Sequence, residues 1–272
     1  MTQAVEARRA PTTRALQPLR GRVVVIKIGG SVAVDPDRLE ATARDVAALV
    51  ELGARPVVVH GGGPEIDAAL RARGRAAARH DGIRATDAEA LDVVETVLEG
   101  RINPRIVAAL GRAGLRAVGL SGRDASWLRG EAVAGRVGRP TVVSGDLARR
   151  LVGHGYLPVV APLFVDAEGH ALNVNADTAA GAIAAAIDAF ALVLVTDTDG
   201  VRGAAGSRLA ELPVGAVRDA IDAGVVTDGM IPKLEAACVA RRAGVPLVLV
   251  IGARRFGATA ALLGGQSGTR VI

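Results

Sequence analysis

Six short runs of Val, Ile and Leu, alternating with longer amphipathic segments, restrict this chain to few architectures. The runs are RVVVIKI (22–28), ARPVVVH (54–60), RAVGLSG (116–122), YLPVVAPLFV (156–165), FALVLVTD (190–197) and VPLVLVI (245–251). Most lack the polar alternation of a half-solvated strand, so both faces of each are expected to be buried. Between them lie helical stretches such as PDRLEATARDVAALVELG, PEIDAALRARG, TDAEALDVVETVLEG, INPRIVAALGRAG and ADTAAGAIAAAID. Strands apolar on both faces and separated by helices imply an α/β chain: an open, mainly parallel central sheet with helices on both faces. With 272 residues, 50% of them hydrophobic and only 2% aromatic, its core must be built from Ala, Val, Leu and Ile.

Boundary signals agree. Thr86 and Asp87 stand where a helix cap belongs, and Pro64 follows three glycines at a position where its missing N–H is harmless. The stretch GDLARRLVGHGYLP divides the chain into lobes 22–155 and 156–272 on one continuous sheet, after a basic arm at 1–21.

Several function classes are excluded. No apolar run reaches the roughly 18 uncharged residues of a membrane span; the longest, AGAIAAAIDAFALVLV, is broken by Asp188. The start has no apolar signal region. A single cysteine, Cys238, rules out an internal disulfide framework and fits a reducing cytoplasm, with Cys238 as a small core residue on a helix. The formal charge of +5 is concentrated in residues 1–22, where Arg8, Arg9, Arg14, Arg20 and Arg22 face only Glu6. A near-neutral body with one Trp, one Tyr and three Phe offers no stacking platform, so nucleic acid is not an expected partner.

Two of the runs end in glycine clusters, IKIGGS and VHGGGPEI. In an open parallel sheet, ligands bind beyond the carboxyl ends of the strands. Consecutive glycines there present backbone N–H groups to anions, with a helix N-terminus behind them. The Walker loop and the dinucleotide fingerprint are absent. HGGG resembles an esterase oxyanion loop, but the required nucleophile elbow is missing, since GLSGR ends in Arg123.

The chain holds 31 arginines and only two lysines, Lys27 before GGS and Lys233 after DGMIP. A composition that replaces lysine by arginine spares positions where a planar fork cannot do the work of a compact point charge. Compact ammonium groups suit the spread negative charge of a transferring phosphoryl group. Between them, ALNVNADTAAG alternates Asn173, Asn175 and Asp177. Extended, these side chains share one face. Asp177 is then either the N-cap of the next helix or a buried carboxylate that orients both lysines, with the asparagines serving a polar substrate.

At these residues the chain resembles the amino-acid kinase family, and within it the branch acting on N-acetylglutamate. The matching pieces, in order, are VVIKIGGS, VVVHGGGPEI, DGIRATDAEALDVVETVL, GRINPRIV, AVGLSGRD, GYLPVVAPL, LNVNADTAAGAIAAA, LVLVTDTDGV and GVVTDGMIPKLEAA. The resemblance implies ATP-dependent phosphorylation of the side-chain carboxylate of N-acetyl-L-glutamate to an acyl phosphate, in arginine biosynthesis, with Mg2+ on the ATP. It implies that Lys27 and Lys233 stabilise the phosphoryl group and that Asp177 holds them. Arg84, Asn173 and Asn175 with Gly62 and Gly63 would bind the acyl amino acid. Gly29 and Gly30 would face the ATP phosphates, and Thr196, Asp197, Gly229 and Met230 would line the adenine and ribose side. A carboxylate nucleophile, with a pKa near ~4.3, needs no general base, so none of His60, His80, His154 and His170 is required as one, and His60 is expected to shape its glycine loop.

Three stretches depart from the family pattern: Ala125 after LSGRD, the run RAAARH before DGIRATD, and the basic GRVGRPTVVS. The alternative they leave is a kinase for a related N-blocked acid such as N-acyl-aminoadipate, free or carrier-linked. A non-catalytic ligand-binding member is the third reading. The segment TTRALQPLRGR partly resembles a helix that joins dimers into hexamers in one branch, but Pro18 interrupts it, so a homodimer is expected rather than a hexamer.

Overall fold

The computed structural model describes residues 19–80, 82–253, 257–262, 264 and 267–272. Residues 1–18 of the basic arm lie outside the described residues. Eight strands form the central sheet: β1 (Val23–Ile28), β2 (Arg55–His60), β5 (Ala117–Leu120), β8 (Leu157–Val160), β11 (Ala191–Thr196), β12 (Glu211–Leu212), β13 (Leu247–Gly252) and β14 (Thr269–Val271). Their order is β12-β14-β13-β11-β1-β2-β8-β5. Every neighbouring pair is parallel except β13 with β14.

The all-apolar strands follow from burial on both faces. In β1, Val24, Ile26 and Ile28 enter one core with α2 (Pro36–Glu51), while Val25 enters the other with α7 (Ala176–Ala186) and α9 (Met230–Arg242). Lys27 has the parity of Val25 and stands in register with Val59 and Leu194, both in that second core. The lysine therefore projects towards α7 and α9 from the carboxyl end of the central strand. Those helices pack closely because their contact is made of small residues. A Cβ on Gly181 would stand 2.9 Å from the Ala236 carbonyl oxygen.

Three elements differ from the sequence expectation. The run YLPVVAPLFV is two strands, β8 and β9 (Leu163–Val165), because the chain leaves the sheet at Ala161-Pro162. The segments around DVVETVLEG and INPRIV are one continuous rod. In it α4 (Ala88–Val97), capped by the Asp87 carboxylate, runs through a π turn at Leu98–Ile102 into α5 (Asn103–Arg112). Pro104 lacks the N–H of an ordinary helical residue, and the wider turn just before it accommodates the ring. Finally, GEAVAGRVGRPTVV contains an antiparallel hairpin, β6 (Leu128–Ala134) and β7 (Val137–Val143). With β9 and β10 (Ala171–Asn173) it closes a small four-stranded unit. A two-stranded hairpin, β3 (Arg79–His80) and β4 (Ile83–Arg84), follows α3 (Gly63–Ala72).

Candidate active site

Lys27, on β1, donates from Nζ to Asp177 Oδ2 at 3.1 Å, and Lys233, in the first turn of α9, donates to Asp177 Oδ1 at 2.8 Å. The two lysines of the chain, 206 positions apart in sequence, thus share one carboxylate. All three are buried. Burial by itself would raise the Asp177 pKa, but the two ammonium groups more than offset it and hold the carboxyl below the usual carboxylate range. Burial pushes Lys233 down to about 8, the like charge of Lys27 adds to the fall, and Asp177 opposes it. Two cations on one anion leave a net positive charge at the centre of a low-dielectric site.

Asp177 is free for this role because it is not the cap. Asn175 is the N-cap of α7, its Oδ1 accepting from the backbone N–H groups of Asp177 at 2.8 Å and Thr178 at 3.2 Å. The N-cap alternative for Asp177 is therefore corrected. A carboxylate two residues inside a helix N-terminus is also favoured by the helix dipole.

The triad lies in a cavity of about 440 Å3 at the carboxyl edge of the sheet. Its lining includes the two glycine turns at 29–30 and 61–63, the polar residues Arg79, Arg84, Asn173 and Asn175, and Ser31, Thr196, Asp197 and Gly229. The N-terminal ends of α1 (Gly30–Val34), α3, α7 and α9 all reach this wall. Their N–H groups and dipoles make the cavity attractive to anions. The two glycine loops pass so closely that a Cβ on Gly30 would lie 2.8 Å from Gly63 N and 3.0 Å from Gly62 C. No side chain fits at position 30, which explains that glycine physically.

Arg84 is buried, donating from Nη2 to Asp67 and to the Gly63 carbonyl oxygen at 3.2 Å. Its Nη1 is buried without any hydrogen-bond partner. A buried guanidinium nitrogen without a partner keeps an unused donor, and charged donors of this kind bond carboxylates strongly. Behind it, Thr86 Oγ1 donates to the Arg84 carbonyl oxygen and accepts from Asn173 Nδ2, both at 3.0 Å. The β6–β7 turn supports this pair, because Arg136 N–H donates to the Thr86 carbonyl oxygen at 2.7 Å and the Arg136 carbonyl accepts from Asn173 N at 2.8 Å. His60 lies beneath the glycine loop, fully buried, its pKa lowered to about 4 by burial. Asn103 Nδ2 donates to His60 Nε2 at 3.0 Å and to the Val159 carbonyl oxygen at 2.9 Å, which fixes the ring as a neutral prop.

Of the residues given catalytic, substrate-binding or nucleotide-facing roles from the sequence, Met230 alone is off the cavity wall. It is the first residue of α9 and packs half-buried against the α7–α9 core.

The chain that carries this cavity has relatives among known proteins. Residues 22–252 match the description "Amino acid kinase family". The chain belongs to the amino acid kinase family. Among its relatives, the acetylglutamate kinase of Ruegeria pomeroyi is 45% identical over 242 residues, spanning 88% of this chain and 84% of the relative. The acetylglutamate kinase of Synechococcus sp. (strain CC9311) is 41% identical over 246 residues, spanning 88% and 86%. Among solved structures, smu.665 from Streptococcus mutans UA159 superposes with a TM-score of 0.80 at 27% identity, covering 92% of this chain and 98% of that one. Carbamate kinase from Giardia lamblia shares the fold at a TM-score of 0.69 and 17% identity, covering 92% and 98%.

Sequence reasoning on this amino acid kinase missed Asp67 and did not place Arg79 in the site. Arg79 lay in the noted basic run RAAARH; Asp67, on a polar helix face, carried no signal apart from its spacing of twelve residues from Arg79. Among the described residues no helix of this amino acid kinase is long and apolar enough to cross a membrane.

Proposed function

We propose that the chain transfers the γ-phosphoryl group of ATP to the side-chain carboxylate of N-acetyl-L-glutamate. One observation carries the chemistry: both lysines converge on Asp177 at the floor of a glycine-walled cavity. The relatives, which are acetylglutamate kinases, support the choice of acceptor.

In this reading the α-carboxylate meets the free Arg84 edge beside Asn173, and the glycine turn at 61–63 supports the acyl amino acid. The nucleotide takes the opposite end, with its phosphates at Gly29 and Gly30 and its nucleoside towards Thr196, Asp197 and Gly229. A carboxylate oxygen bonds to the γ-phosphorus as the bond to the bridging oxygen of ADP breaks, and the electron pair leaves with ADP. The nucleophile is already ionised, so no base is needed. Lys27 and Lys233 neutralise the charge spread over the transferring group, and Asp177 keeps the two ammonium heads together. Asp197, the cavity carboxylate not committed to the lysines, would help to hold a Mg2+ ion, which would supply further charge neutralisation on the phosphates.

A hydroxylamine trap for acyl phosphate, run with ATP and a panel of N-blocked acids, tests the assignment. Acyl hydroxamate is expected with N-acetyl-L-glutamate at a higher kcat/KM than with N-acetyl-aminoadipate. No hydroxamate from any acid in the panel would sink the proposal. A second expectation concerns pH. The Lys233 ammonium is lost from the free protein as pH rises through about 8. A group required in its charged form then makes kcat/KM fall above that pH, by about tenfold per unit. A profile still rising well beyond it would remove Lys233 from the reaction.

A further inference from the structure

Arg79 and Arg84 are cross-strand partners in the β3–β4 hairpin. Two like charges directly opposite one another destabilise a hairpin unless something offsets them. Here Asp67, from α3, lies between them. Arg79 Nη2 donates to both Asp67 oxygens, at 3.0 and 2.8 Å, and Arg84 Nη2 donates to Oδ1. Although burial acts to raise it, the two guanidinium groups hold the Asp67 carboxyl below its usual range, so it is an anion. Both arginines line the cavity, and Arg79 lies across the glycine turn, its Nη2 3.5 Å from where a Cβ on Gly63 would stand. Among the described residues these three groups therefore carry one excess positive charge, next to the unpaired Nη1 of Arg84.

Resting on the acyl-amino-acid reading of this end of the cavity, we propose that Arg79 is a specificity residue and Asp67 a positioning residue for the substrate's α-carboxylate. Asp67 and the Gly63 carbonyl occupy Arg84 Nη2 and so leave Nη1 as the guanidinium nitrogen without a partner. It would also neutralise Arg84 if it had no second partner. Arg79 supplies that second partner, and the cluster reaches neutrality when one monoanionic carboxylate binds. Without Arg79, Arg84 and Asp67 are a closed neutral pair with little attraction for an anion, although Arg84 itself is unchanged.

The test is steady-state kinetics with ATP and N-acetyl-L-glutamate on the wild-type chain, Arg79→Gln, and the double variant Arg79→Gln/Asp67→Asn. Arg79→Gln is expected to raise KM for the acyl amino acid about tenfold, with kcat and the KM for ATP within about twofold. The double variant restores the net charge and is expected to recover most of the lost KM, a rescue that a purely steric role for Arg79 would not give. An unchanged KM in Arg79→Gln, or a double variant no better than the single one, overturns the inference while leaving the kinase reading intact. A wild-type chain that forms no acyl phosphate overturns both.

Discussion

Lys233→Arg is expected to lower kcat by at least about 10²-fold, the loss associated with removing one group aimed at developing charge. Charge is conserved in this substitution, so the expectation rests on shape. Lys233 is 5% exposed, and its compact head reaches Asp177 Oδ1 at 2.8 Å. A guanidinium is longer and planar and donates in a fixed fork. Within this packed site it would either displace Asp177 from Lys27 or turn away from the cavity. Thermal unfolding of the variant separates a lost activity from a lost fold.

Asp177→Asn is expected to reduce kcat by a similar factor for a different reason. The side chain keeps its size but loses its charge, which leaves two buried ammonium groups facing each other without a counter-ion. Breaking a buried ion pair from one side costs roughly 3–5 kcal/mol, so a clear fall in melting temperature is expected as well. Asp177 is one of the groups that raise the Lys233 pKa. Its loss therefore moves the deprotonation of Lys233 to lower pH, and the falling limb of kcat/KM should shift in the acid direction. A variant with wild-type kcat would show that the carboxylate only holds the fold together.

Much of this site was legible in the sequence because composition made it conspicuous. In a chain of arginines, Lys27 and Lys233 stood out, and the apolar runs placed Lys27 at the carboxyl end of a buried strand. The choice between Asn175 and Asp177 as helix cap was not legible. Both are good caps two residues apart, and only the packing of α7 against α9 decides that Asp177 faces the lysines. The β6–β7 hairpin was also hidden. Its residues are largely exposed, so selection for burial left no apolar pattern, although its turn braces Thr86 and Asn173. The π turn at Leu98–Ile102 leaves no periodicity that distinguishes it from the helices around it. The Arg79–Asp67–Arg84 cluster is tertiary: a helix and a hairpin bring it together, and no spacing rule for a single element encodes it.

The most direct measurement is the rate of phosphoryl transfer in a single turnover, with ATP and N-acetyl-L-glutamate saturating, for the wild-type chain and Lys233→Arg. Transfer slowed by at least about 10²-fold, with nucleotide affinity within a few-fold of wild type, is the result expected of an ammonium group acting on the travelling phosphoryl unit. An unchanged transfer rate in a folded Lys233→Arg protein would contradict it.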